Sequence, residues 1–418
     1  MSESDLGDDI VPSELPRHIP TPVRLRTDFK PWHRVRKQFI REQQWNPAIR
    51  FLTQRYLRRD LQQEEAEWAE ENLAPENVRI ERPLRCFLLP GDDLLDVRSL
   101  WGQLQCEGCY LRFLGFNKSL QDKDHRRKVD VAESAVTQLT KVCKDSHVTA
   151  DTFQDIARPT TQAFRLFRLY GPYDVVNLDL CDSLVPRGLG QETAANYTAL
   201  NQLVRYQLEH QKGPWLLFAT TQVDHSTADQ QEINKLAKPT RDNCDTHADF
   251  AREIEKIIPG ASFRSHHHSL DISQMNASHL VQIFGVVFGK WLMSLLMNAS
   301  PRCAIKLLTS YRYVIQPDPS IEMLSLGFLI TPHYSPPVDP TGLSTLQPTT
   351  RPFPTELQSA LGLVSIAAGI RNVDELLGAN PAMRDQLVNS KADLLAAAGY
   401  NRDAYLQWVA DGERNAVG

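Results

Sequence analysis

Tyr173-Asp174-Val175-Val176-Asn177-Leu178-Asp179-Leu180-Cys181-Asp182 is a short apolar run that ends abruptly in an acidic, polar loop. A strand buried on both faces reads as a continuous apolar segment, and in open α/β sheets ligands bind just beyond the carboxyl ends of such strands. Asn177, Asp179 and Asp182 stand at that end. An amide and a carboxylate placed there suit a substrate amine, a hydroxyl or a cofactor; the competing reading is that Asp179 and Asp182 cap the next helix.

The sequence on either side sets a regular alternation. Pro83–Leu89 reads as a strand, Leu94–Leu104 as a helix, Tyr110–Phe116 as a strand and Asp130–Asp145 as a helix. A short strand near His147–Asp151, the strand Asp174–Leu180, a helix Glu192–Gln211 and a strand Trp215–Val223 follow. Strands alternating with helices imply a parallel sheet with right-handed crossovers. Ala304–Ile315 and Met323–Thr331, joined by Gln316-Pro317-Asp318-Pro319-Ser320, form a hairpin, which cannot be two parallel neighbours.

Composition bounds the rest. The 418 residues are 42% apolar and 23% charged with a net charge of -5, so affinity for nucleic acid requires a local patch. Seven scattered cysteines and an acidic start without an apolar signal core point to a reducing, cytoplasmic setting. His279–Met297 is just long enough for a membrane span, but Lys290 in its interior costs about 3 kcal/mol there, and the segment reads as a buried core helix.

Between Arg24 and Arg59 eleven lysines or arginines face two acids, and Asp60–Glu81 reverses the sign. Trp32, Arg34, Arg36, Lys37, Arg41 and Trp45 interleave cations with rings, as a DNA or RNA surface requires for phosphate neutralisation and base stacking. The competing reading is an amphipathic arm whose aromatics pack on the main domain while its arginines pair with the acidic run. Cys106-Glu107-Gly108-Cys109 is a lone pair at zinc-knuckle spacing, too few ligands for a structural zinc site. His266-His267-His268 share no face of a helix or strand. Neither a Gly-x-Ser-x-Gly elbow nor a Walker loop is present, which removes α/β-hydrolases and P-loop ATPases.

The order of elements over about residues 80–335 resembles the class I S-adenosylmethionine-dependent methyltransferase fold, a Rossmann-like sheet closed by an antiparallel hairpin. The resemblance implies a cofactor loop at Leu88-Leu89-Pro90-Gly91-Asp92-Asp93, a ribose-gripping residue at Asn117, an adenine-contacting turn at Asp151, and substrate-facing Asn177 and Asp179. Gly91 is the one glycine of the loop, with Asp92 beside it, and Asn117 stands where the family usually has a carboxylate. The Asp/Asn-Pro-Pro-aromatic signature of base-amine methylation is absent. The motif is therefore degenerate.

The expected architecture is α/β: an acidic flexible tail (1–22), a basic then acidic helical arm (23–80), a methyltransferase-like domain (81–335) with an insertion (224–275) overhanging the ligand edge, a proline-rich linker (336–354), and a small helical module (355–418). That module is expected to dock on the main domain or on a partner protein. Three functions fit: a nucleic-acid-associated binding or scaffolding subunit that keeps the fold without the chemistry, in bacterial nucleic-acid metabolism or phage defence; an active S-adenosylmethionine-dependent methyltransferase acting on nucleic acid; or a protein holding a nicotinamide or another nucleotide.

Overall fold

Nine strands assemble into one sheet in the computed structural model, which describes residues 25–57, 82–180, 182–187, 190–257, 272–317, 320–334, 341 and 353–414. The strands are β1 (Leu84–Leu88), β2 (Leu111–Phe116), β3 (His147–Thr149), β4 (Val175–Asp179), β5 (Trp215–Gln222), β6 (Arg302–Leu307), β7 (Tyr311–Pro317), β8 (Ser320–His333) and β9 (Arg371–Asn372). Their order is β3-β2-β1-β4-β5-β8-β7-β9, with β6 also paired to β8.

From β3 to β5 all neighbours are parallel. β8 then runs antiparallel to β5 from Trp215↔Ile330 to Gln222↔Met323. The expected hairpin is present, but its first limb breaks around Leu308–Ser310 into β6 and β7, both antiparallel to β8. The fold is α/β, with a mostly parallel mixed sheet, an antiparallel C-terminal pair and helices at both ends of the chain.

Alternate side chains feed two cores, because successive residues of a strand point to opposite faces. Phe87, Val176, Leu178, Leu217 and Ala219 meet the helices Gln162–Tyr170, Gly190–His210 and Ala277–Met297 on one face. Cys86, Leu88, Val175, Leu216 and Phe218 face the helix Leu95–Glu107 and an N-terminal helical arm on the other. The arm runs through Val35–Ile40, Arg41–Trp45, Asn46–Leu52 and Thr53–Leu57, and buries Phe39, Ile40, Ile49 and Leu52. Each such side chain contributes roughly 1.5–3 kcal/mol, so the arm belongs to the core.

The apolar helix Ala277–Met297 is long and apolar enough to cross a membrane, but 78% of its apolar window is buried inside the protein. Gly289 lets the module helix Glu356–Ala368 approach: a Cβ there would lie 2.5 Å from Leu363 Cδ1. Lys290, 2% exposed, pairs through its ammonium with Glu356, which also accepts from Asn243 Nδ2 at 3.0 Å. The module continues as Val373–Ala379, Pro381–Ala397 and Arg402–Arg414. Its first helix joins one core while Val373, Leu377 and Leu387 join the other, so it straddles the β7 edge of the sheet.

Three expectations need correction. The helix placed at Asp130–Asp145 forms over Lys123–Thr137, because Asp122 caps it by accepting from the Asp124 and His125 amides. A helix at Gln162–Tyr170, capped by Thr161, was not expected. The insertion after β5 starts beside the loop that follows β4, through Pro186↔Ala228, but its helices Gln230–Leu236, Lys238–Thr246 and Ala248–Ile257 then pack into the core around Ala277–Met297 and do not overhang the edge. The tail, the acidic run after Arg59, the histidine triplet and most of the proline-rich linker lie outside the described residues.

Removing one partner of a buried ion pair costs more than replacing both by apolar groups. Glu356→Ala is expected to lower unfolding free energy by about 2 kcal/mol, less than for a fully buried pair because Glu356 is 40% exposed. Lys290→Met combined with Glu356→Leu is expected to be near neutral. Urea midpoints of the two variants check the order.

Candidate functional site

Asp179, the last residue of β4, does not face open solvent. Lys37 of the arm places Nζ 2.5 Å from Asp179 Oδ1 and 4.7 Å from the centre of the Trp45 ring. One turn on, Arg41 Nε donates to Asp96 Oδ1 at 2.8 Å, on the first turn of the helix that follows β1. A further turn on, Trp45 meets Phe218 of β5 with ring centres 6.0 Å apart. Residues four apart share a helix face, so Lys37, Arg41 and Trp45 form one stripe against the sheet. Gln44 Nε2 donates to the Thr309 and Ser325 carbonyls at 3.0 Å, and Ser325 Oγ donates back to Gln44 Oε1 at 2.7 Å.

Burial alone would lower the Lys37 ammonium, but the negative charges of Asp179 and Asp96 with the Tyr313 phenol override it and hold it above the ordinary lysine value. Burial pushes Asp179 up, aided by Asp96 and opposed by Lys37. Burial would also raise Asp96, yet Arg41 and Lys37 keep it below the usual carboxylate range. Lys37 therefore keeps its charge, and Lys37 and Arg41 each have their own acid.

At the end of β1 the chain turns through Leu89-Pro90-Gly91-Asp92-Asp93. Pro90 lies so close over β2 that a Cβ on Gly115 would be 2.9 Å from Pro90 Cγ, whereas Gly91 has open space on that side. Asp92 Oδ1 accepts from Ser119 Oγ at 3.0 Å and from Asn117 Nδ2 at 3.3 Å, and Asp92 Oδ2 holds His125 Nδ1. Asn117 in turn caps Lys118–Gln121 through the Ser119 amide. This arrangement brings Gly91, Asp92 and Asn117 together and ties the His125 ring to Asp92 through Nδ1. Asp151, across the β2–β3 edge, accepts from Thr149 Oγ1 at 2.7 Å.

Asp93 turns the other way, into the arm and module. It takes Arg26 Nη1 at 2.5 Å and Tyr400 OH at 2.9 Å, with His33 Nε2 3.7 Å away. Burial would raise this carboxyl, but the His33 ring 3.7 Å away, with the hydrogen bond and charge of Arg26, brings it down to about 2. Beside it Lys391 is fully buried without a hydrogen-bond partner, and burial with the neighbouring Arg41 charge depresses it far below the ordinary lysine value. Gln44 and Lys391 were not singled out from sequence, and Asp93 was read only as part of the cofactor loop.

Three of the six residues expected at a nucleic-acid surface do not face outward. Lys37, Arg41 and Trp45 are turned inward and 9%, 4% and 4% exposed, so phosphates cannot reach them in this state. Arg36 pairs with Asp374, and the Arg34 guanidinium lies 4.8 Å over the Trp408 ring. Trp32 alone of the six is an exposed large side chain, at 58%. The described acids that neutralise the arm come from β4, the helix after β1 and the module. Among the described residues no three His, Cys, Asp or Glu gather into a group that could hold a metal ion.

Residues 26–410 match the PP_RS20740-like family, and the chain belongs to it. No curated protein matches the chain.

Two outcomes follow from the charges. Lys37→Ala leaves Asp179 buried without its cation and is expected to cost about 3 kcal/mol, while Lys37→Met with Asp179→Leu recovers most of that loss in denaturant titrations. Asp93 has a folded pKa of about 2 against 3.8, so its stabilisation is complete above about pH 4 and is lost as pH falls through 2. That amounts to about 2 kcal/mol. Unfolding free energy of the wild type is expected to fall over this range more steeply than that of Asp93→Asn.

Proposed function

We propose that this member of the PP_RS20740-like family is a degenerate methyltransferase-fold protein acting as a binding or scaffolding subunit in bacterial nucleic-acid metabolism or phage defence. The step from fold to pathway is analogy. One observation carries the loss of chemistry: Asp179, at the strand end where a substrate would sit, is taken by the chain's own Lys37. The strand order, with an antiparallel β8 between β5 and β7, supports the methyltransferase-like part of this reading. The loop after β1 supports the degenerate part, because its one glycine is followed by a carboxylate already committed to Asn117, Ser119 and His125.

A second reading, an active S-adenosylmethionine-dependent methyltransferase on nucleic acid, draws on the same loop. Asp92 reaches Asn117 and so supplies a carboxylate at the end of β2 that Asn117 itself lacks. The space beside Gly91 is open. In that reading Gly91, Asp92, Asn117 and Asp151 would hold the methyl donor, and catalysis would consist of aligning a nucleophile with it.

Nucleic-acid contact would then fall to exposed cations that no described acid holds at ion-pair distance. Lys123, Arg126, Arg127 and Lys128 are exposed on the helix that follows Asn117 and Asp122. Each cation that meets a phosphate adds to the salt dependence of binding.

Calorimetric titration with S-adenosylmethionine and S-adenosylhomocysteine separates the two readings. The scaffolding reading expects no binding heat; micromolar binding that Asp151→Ala abolishes would establish the enzyme reading instead. Binding of single-stranded DNA or RNA, followed by fluorescence anisotropy, is expected to weaken with salt and to lose salt dependence when Lys123, Arg126, Arg127 and Lys128 become alanine. Affinity unchanged by both would remove nucleic acid as the partner.

A further inference from the structure

Beneath the arm lies a cavity of about 20 Å³, lined by Trp45, Asn46, Asn177, Asp96 and Ser99 together with apolar side chains of the arm, the helix after β1 and the sheet. Trp45 is 4% and Asn177 9% exposed. Both have a buried polar atom without a protein partner, the Trp45 Nε1 donor and the Asn177 Oδ1 acceptor. Leaving such an atom unpaired is costly, and here the donor and the acceptor belong to two residues that line the same void. A cavity holds a water once it offers roughly 10–15 Å³ and two to four polar partners. This one has the volume for a single molecule, and its lining supplies the partners.

We infer that this cavity is a built site for one ordered water, which accepts from Trp45 Nε1 and donates to Asn177 Oδ1. Its second proton and remaining lone pair are within the capacity of the Asp96 carboxylate and the Ser99 hydroxyl. The water ties the arm to the centre of β4 two residues before the Lys37–Asp179 pair. It assigns Asn177 a role in holding the arm, and excludes that amide from contact with a substrate while the arm is docked. The inference stands on burial, volume and unmatched polar atoms, and holds for either functional reading.

A crystal structure at a resolution that places ordered waters tests it on the wild-type chain. The expected result is one density peak within hydrogen-bonding distance of both Trp45 Nε1 and Asn177 Oδ1. An empty cavity, or direct contact between the two side chains, would overturn it. Asn177→Leu, which keeps the branched skeleton and removes the amide, gives an independent measurement. With a bridging water the substitution strands Trp45 Nε1 and lowers the melting temperature. In a dry cavity it removes an unpaired acceptor, and a raised melting temperature would contradict the site.

Discussion

A charge at the carboxyl end of β4 can be buried there because an opposite charge from the arm is brought to it. Taking Lys37 and Asp179 out of water costs several kcal/mol for each ion, and their attraction offsets this when the geometry is good and the remaining hydrogen bonds are made. The neighbouring groups meet that condition by alternation of sign: Lys37 lies between Asp179 and Asp96, and Arg41 completes Asp96. The same logic extends to Arg26, Asp93 and Tyr400. Lys391 has no such partner, and burial keeps it from holding its proton as an ordinary lysine would. The arm, the loop after β1 and the C-terminal helices are therefore placed by one electrostatic system.

This has a consequence for the ligand edge of the sheet. An open edge of an α/β fold offers strand-end side chains to a ligand. Here the half of the edge formed by β4 and β5 is spent on cohesion within the chain: Asp179 holds Lys37, and Phe218 holds Trp45. The half formed by β1, β2 and β3 keeps Gly91, Asp92, Asn117 and Asp151, with His125 oriented by Asp92. The family match runs from the start of the arm through the last helix, so arm, sheet and module belong to one unit at the level of family as they do in packing.

Much of the sheet was legible because strands buried on both faces leave continuous apolar runs, as Val175–Asp179 and Trp215–Gln222 do. The hairpin and the long core helix were readable for the same reason. The start of Lys123–Thr137 was missed because its first turns are polar, and Asp122 as the cap was the signal that marked it. The direction of the arm's cations was not legible from charge alone. The partner of Lys37 lies 142 positions away, and sign says nothing about distance along the chain. The spacing of Lys37, Arg41 and Trp45 at successive turns was the available clue that these residues share an inward face.

Native-state hydrogen exchange of the arm amides between Val35 and Leu57, compared with those of β4 and β5, tests this most directly. A docked arm that is part of the core exchanges as slowly as the strands and loses protection together with them in Lys37→Ala. Fast exchange of the arm over a fully protected sheet, unchanged by Lys37→Ala, would contradict the claim that the Lys37–Asp179 pair holds the edge closed.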